Sequence, residues 1–229
     1  MEKRPSITSL LVELNSGYPE DKSPLYKQDL LFILPVANQA IELEKGIEKM
    51  ISDNNFICAA SLTRGLMESS LVLVYSLSYY GLNSEVDEDK FYDKFLEKGR
   101  LQKYYKKKWR SVRDIDLLEV FKELFHVDLE NDYNKLCDIL HYSISHVDLP
   151  VKSVAGNSFS INIGYDKNIQ KMSEEQKDWI AFLKEFMIDT ISYSIAVEIN
   201  SRRIVNNFVS SQIARTAQDY WFSKYGSVK

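Results

Sequence analysis

Glycine and proline are scarce in this chain, 8 and 5 in 229 residues. That scarcity argues against a turn-rich β sandwich and against a disordered polymer. Cysteine is scarcer still, with Cys58 and Cys137 alone, too few for a disulfide framework. The opening stretch MEKRPSITSLLVELNSGYPEDK has acids soon after a short apolar run and no small-residue cleavage site, so it does not resemble a secretory signal. Free thiols in a reducing cytoplasm are therefore expected. Histidine stops at three, His126, His141 and His146. The last two stand five apart, a poor spacing for one metal ion on a regular helix, and H-E-x-x-H is absent, so no metal site is expected. A Gly-rich phosphate loop, a G-x-S-x-G elbow and a G-x-G-x-x-G fingerprint are also missing. Nucleotide hydrolysis, serine esterase chemistry and dinucleotide redox chemistry thus lack support, and no cofactor is expected.

What the chain does have is apolar periodicity. Hydrophobic residues make up 45% of it, enough for a sizeable core in one domain spanning residues 1–229. The spacing predicts a helix over about 6–16 and a second from Leu25 to Ser52, with a kink or break near Ile33 because Pro35 removes a backbone donor. A third runs from Asn55 to Tyr80 and ends at Gly81. Phe91, Phe95 and Leu96 mark the inner side of a fourth. Leu117, Leu118, Phe121, Leu124 and Phe125 give a fifth one apolar face, and Leu129, Tyr133, Leu136, Leu140 and Ile144 do so for a sixth. Phe159, Ile161 and Ile163 alternate with polar residues around AGNS, the pattern of a small β hairpin near 151–165. Ser173 and Gln176 form a capping box that opens a helical region over 173–222, long enough to be two helices. The fold class expected is all-α, an up-and-down bundle with that hairpin attached.

Charge is uneven. The net charge is −4, yet RLQKYYKKKWRSVR at residues 100–113 holds seven Lys or Arg and no acid, leaving 22 bases against 33 acids elsewhere. Within it, Tyr104, Tyr105 and Trp109 interleave aromatic faces with cations, and Lys103, Tyr104, Lys106, Lys107, Lys108, Trp109 and Arg110 are the candidate RNA contacts. In that mixture rings can stack bases while ammonium and guanidinium groups meet phosphates. The plainer reading is a solvated helix whose long basic side chains cover apolar surface.

The helix CAASLTRGLMESSLVLVYSL carries Arg64 and Glu68 one turn apart among apolar neighbours. A bilayer span is disfavoured, since a central Arg costs about 2.5–3.5 kcal/mol on insertion scales. The pair is then either a structural salt bridge between core helices or part of a polar cleft. Further on, Cys137, Asp138, His141 and Ser145 line one helix edge, where His141 can serve as a general base or acid, or simply cap carbonyls near a helix end.

LTRGLMESSLVLVYSLSYYG, followed some 55 residues later by DYNKLCDILHYSISH, resembles the HEPN-like superfamily of helical proteins from toxin and abortive-infection systems. The resemblance covers roughly residues 25–150. It implies a helical bundle that forms homodimers or higher oligomers, with a polar cleft where subunits meet, a protein partner from a defence or toxin-antitoxin system, and a role in stress or phage defence. Many members are metal-independent endoribonucleases that use an Arg followed four to six residues later by a His. Here no Arg precedes a histidine at that distance, and Lys135 is the nearest substitute before His141. The site implied is His141 acting on the ribose 2′-hydroxyl or the leaving oxygen, with Arg64 and Lys135 stabilising phosphate charge and Glu68 orienting Arg64. Two readings follow: a cytoplasmic RNA-binding protein that cleaves RNA, or a non-catalytic adaptor, antitoxin-like partner or oligomeric scaffold that kept the bundle and lost the motif.

Overall fold

A computed structural model describes residues 4–16, 28–82, 88–140, 151–155, 158–161, 172–205 and 208–226. It is the expected all-α bundle, with short antiparallel hairpins as the β structure of the described residues. Helices α1 (Ile7–Ser16), α2 (Leu34–Ser52) and α3 (Phe56–Leu82) are followed by α4 (Glu88–Lys98), strands β1 (Gln102–Tyr105) and β2 (Lys108–Ser111), α5 (Asp114–Phe125) and α6 (Glu130–Leu140). Strands β3 (Val151–Ala155) and β4 (Ser158–Ile161) form the second hairpin, at the position that the alternation marks, and α7 (Glu174–Val205) and α8 (Gln212–Tyr225) close the chain.

Helix α3 is the axis of the bundle. It packs against α2, α5, α6 and α7, and Leu66, Met67, Leu71 and Leu73 are sealed from solvent. A helix apolar on nearly every side has to be enclosed, since burying each large aliphatic side chain contributes about 1.5–3 kcal/mol. By length and composition Phe56–Ser78 would suffice to cross a membrane, and 56% of its apolar window is buried by the surrounding helices. Gly46 lets α2 come close, because a Cβ there would stand 3.0 Å from Leu62 Cδ1. Asn55 caps the start of α3, its side-chain oxygen accepting the Cys58 N–H at 3.1 Å.

The kink expected near Ile33 is a π-helical turn, Asp29–Ile33, immediately ahead of Pro35 in the first turn of α2. A proline that cannot donate to the preceding turn leaves room for the wider coil. Phe32 in this turn meets Phe91, Tyr92 and Phe95 of α4. Leu96 is exposed, not inward, and Tyr92 fills the place it was given; Leu124 likewise lies on the solvent side of α5. Both sit at the margin of their apolar stripe, where spacing alone does not set the rotation of the helix against its neighbour.

The C-terminal region is two helices that fold back on each other, α7 opened by the reciprocal Ser173–Gln176 box. Asn200 holds the turn: its Oδ1 accepts the Ser211 N–H at 2.9 Å, and its Nδ2 donates to Gln218 at 3.2 Å. Ser211 in turn caps α8 by accepting the Ala214 N–H. Buried ions add two further ties. Asp189 accepts from Arg4, Lys224 and Tyr225, and Arg202 bridges Glu198 to Asp29 in the π turn. Asn200→Ala leaves the buried Ser211 N–H without its acceptor, so we expect a loss of about 1–3 kcal/mol in urea unfolding, with α8 loosened first and its Trp221 emission shifting ahead of the global transition.

Candidate functional site

Arg64 and Glu68 sit one turn apart on α3, and Tyr133 and Cys137 sit one turn apart on α6 facing them. Asp114, the first residue of α5, closes the seam. Arg64 Nη2 meets Glu68 Oε1 at 2.9 Å, and the guanidinium carbon lies 5.6 Å from the Tyr133 ring centroid. The Tyr133 hydroxyl donates to Asp114 Oδ2 at 2.7 Å and stands 3.2 Å from Glu68 Oε1. One hydroxyl proton cannot serve two carboxylates, so the shorter contact takes it. Arg64 is 22% exposed and Glu68 44% exposed, so the pair lies at the edge of the core and not within it.

Titration in the seam follows from this placement. Burial and hydrogen bonding to Asp114, with Glu68 alongside, push the Tyr133 hydroxyl far above its ordinary range, so it is not a base near neutrality. Burial pushes the Cys137 thiol up too; Arg64 opposes that, and Glu68, Asp114 and Asp138 reinforce it. A thiol held protonated is a poor nucleophile. Burial works against the Arg64 charge, but Tyr133 and Glu68 outweigh it and hold the guanidinium more firmly protonated than usual. The seam thus sets one cation against the carboxylates of Glu68 and Asp114, an unfavourable balance for a phosphodiester. Arg64 Nε–H is nevertheless buried without an acceptor among the described residues.

Lys135 is elsewhere. It lies two residues beyond Tyr133, on another edge of α6, with its ammonium 4.1 Å from the centroid of Trp179 on α7. The Trp179 indole N–H donates to Asp132 at 2.8 Å. That edge of α6 therefore grips α7, and no contact joins Lys135 to Arg64 or Glu68 among the described residues. His141 falls outside the described residues. Of the four residues assigned to RNA cleavage, the structure brings Arg64 and Glu68 together.

The basic strip is a β hairpin, and the helical reading of it does not hold. Gly99 adopts φ +64° and ends α4, its N–H bonded to the Phe95 carbonyl. The chain then pairs Gln102 with Ser111, Lys103 with Arg110, Tyr104 with Trp109 and Tyr105 with Lys108. Period-two geometry sorts the side chains. Gln102, Tyr104, Trp109 and Ser111 share one face, with the Tyr104 and Trp109 rings 5.5 Å apart and Trp109 packed on the core. Lys103, Tyr105, Lys108 and Arg110 share the other. The Tyr105 ring has Lys106 Nζ at 5.2 Å, Arg110 Cζ at 5.6 Å and Lys103 Nζ at 6.0 Å from its centroid. Tyr105 is 48% exposed, so it, and not Tyr104 or Trp109, is the ring that the cations surround. The signal for it was an aromatic residue at the centre of each triplet, KYY and KWR, on either side of KK, which the density of charge obscured.

Lys103 is bound to the fold. Its ammonium meets the buried Asp116 at 2.7 Å, where Arg113 also reaches at 3.4 Å and donates its backbone N–H at 2.9 Å. Lys106, Lys107, Lys108 and Arg110 make no ion pair among the described residues. Beside the outer face lies a polar groove of about 500 Å³, lined by Lys103, Tyr105, Arg110, Arg113, Asp116 and Glu119 among others. No metal-ligating group of His, Cys, Asp and Glu occurs among the described residues. Comparison with known families, with curated proteins and with solved structures finds no match to this chain.

Two expectations follow. The half-exposed position of Glu68 places the Arg64–Glu68 pair with surface pairs of about 0.2–1 kcal/mol, not with buried ones. A double-mutant cycle of Arg64→Met and Glu68→Gln in urea unfolding should then give a coupling near 1 kcal/mol, and a value above about 3 would place the pair in the core. Burial alone would raise the Asp116 carboxyl, but Lys103 and Arg113 bring it below its ordinary value of 3.8. A depressed carboxylate stabilises the fold above its unfolded pKa, and that stability is lost as pH falls through the folded value. Asp116→Asn should be less stable than wild type at pH 7 and should lose less on acidification below about pH 4, measured as Tm against pH.

Proposed function

We propose that this chain is a HEPN-like helical protein that holds single-stranded RNA on the β1–β2 hairpin and does not use the Arg64 seam to cleave it. The observation that carries the reading is the hairpin tip. A type I′ two-residue hairpin turn requires φ > 0 at both central residues, and Asn-Gly is the sequence that adopts it most easily. Here Lys106 and Lys107 take φ +49° and +60°. Left-handed backbone costs a side-chain-bearing residue about 1–2 kcal/mol, so the lysines are held there at the expense of local stability. Sites that keep such strain are often functional ones. Strain, four cations without carboxylate partners and a half-exposed ring between them together support binding of a polyanion with stackable bases.

The seam supports the non-catalytic half of the reading, since its arginine is engaged by Glu68 and Tyr133 and the carboxylates outnumber it. The setting in stress or phage defence, the dimer and the protein partner belong to the same proposal and rest on the family resemblance; the cytoplasmic location belongs to it too and rests on the scarcity of cysteine. A second reading, metal-independent endoribonuclease, is favoured by the unpartnered Arg64 Nε–H.

The test is fluorescence anisotropy with a labelled 20-nucleotide RNA in EDTA, followed by a gel of the same samples. Lys106→Asn with Lys107→Gly should raise Tm while weakening RNA binding, and the slope of log K against log salt should become shallower by about 1.4, roughly 0.7 per lost single-strand phosphate contact. Tyr105→Ala should cost about 1–3 kcal/mol of affinity, the value of one stacked base. Unchanged affinity in both variants would remove the hairpin from function. RNA cleaved by wild type but intact with Arg64→Met would replace the binding reading with the endoribonuclease one.

A further inference from the structure

On another part of the bundle, a pocket of about 530 Å³ opens between the C-terminal half of α3, the end of α5, and α7 and α8. This volume lies in the range of small-molecule sites, which are concave and mostly apolar with a few polar groups. Its walls are rings. Tyr193 and Phe222 meet at 89° with centroids 5.5 Å apart, and Trp221 meets Phe222 at 88° and 5.7 Å. Phe125 and Tyr225 add two more rings against Trp221, at 5.2 and 5.5 Å. An aromatic ring carries its negative charge density on its faces. Phe222 is 54% exposed and Trp221 5%, so the pocket opens beside Phe222 and has Trp221 deeper in its wall.

Among the described residues the lining holds the Glu198 carboxylate and the His126 imidazole, and no Lys or Arg. Glu198 Oε1 accepts from Arg202 Nε at 2.6 Å, which fixes the carboxylate, and Arg202 is shared with Asp29 at 2.7 Å, so one cation faces two carboxylates and a net negative charge remains. Aromatic faces and an oriented carboxylate attract the same thing, a weakly hydrated positive charge on an apolar body. A neutral ligand would profit from the walls alone, and an anion would be repelled by Glu198.

We propose that this pocket is a binding site for a small organic cation, an alkylated amine, held between the Tyr193, Trp221 and Phe222 rings with Glu198 as its counter-charge. The site is independent of the hairpin and of the RNA reading.

Choline and its uncharged carbon isostere 3,3-dimethylbutanol serve as probes, titrated at constant ionic strength with the Trp221 indole N–H followed by NMR. Choline should shift that resonance and bind at least about tenfold more tightly than the alcohol, as expected when a desolvated cation–π contact adds to shape. Phe222→Leu keeps an apolar side chain at an exposed rim position and removes a ring face. It should weaken choline about fivefold and leave the alcohol unchanged. Glu198→Gln should weaken choline in the same selective way. Equal affinities for the two probes would make this a neutral apolar pocket and overturn the proposal. Absence of any Trp221 shift, or full choline affinity in Phe222→Leu, would overturn it as well.

Discussion

Enclosure of α3 is the constraint from which the rest of the structure follows. A 27-residue helix that is apolar on nearly every side gains stability only when other helices cover it, and α2, α5, α6 and α7 do so. Complete cover leaves no place for charge. Arg64 and Glu68 therefore come to lie where α5 and α6 approach each other, at the edge of the apolar surround, and the partners there were determined by that approach. Tyr133 supplies a ring for the guanidinium and a hydroxyl for Asp114. Desolvation, not the identity of the pair, sets the chemistry of this seam: it raises the tyrosine and the thiol and leaves the carboxylates to compete for one cation.

Two polar regions consequently differ in kind. In the seam nearly every charge has found a partner, and the ionisable hydroxyl and thiol are held in their protonated forms. At the hairpin the reverse holds, with four cations facing water and a ring between them. An ion that is already paired gives up that pairing to bind a ligand, so the net gain is small. Solvated, unpaired cations on one face of a ribbon give up only water and counterions, and release of counterions is itself favourable. Electrostatics thus makes the hairpin the better receptor for a polyanion, although the body that carries it is acidic overall.

Much of the bundle was legible because helical periodicity is a local signal. Pro35 marked the π turn, Ser173 and Gln176 marked the start of α7, and the alternation around residues 158–161 marked the second hairpin. Contacts between distant segments were not legible. Tyr133 counted as one more apolar position of α6, yet its hydroxyl sits between α3 and α5. Lys135 offered the right charge at a useful distance from His141, but spacing along a helix does not say which neighbour each edge will meet, and Trp179 lies there. In the basic strip, charge hid the period. Tyr104 and Trp109 were assigned to RNA alongside the lysines, whereas pairing across β1 and β2 turns them to the core side and leaves Tyr105 outside.

The hairpin also bears on why the strip is not a helix. Lysine and arginine are good helix formers, and Gly99 stands only at the edge of the run. Against that, the Tyr104–Trp109 pair gains burial only if the two residues stand opposite each other, which antiparallel pairing accomplishes and a helix at a spacing of five does not. Trp109 reaching the core and Lys103 reaching Asp116 fasten both strands to the bundle. With the ends fastened, the two residues between them must turn in the sense that strand twist demands, and Lys106 and Lys107 are forced to positive φ. The strained lysine tip is therefore a product of tertiary anchoring, and it presents its charges at a fixed place that a free helix of the same composition would not define.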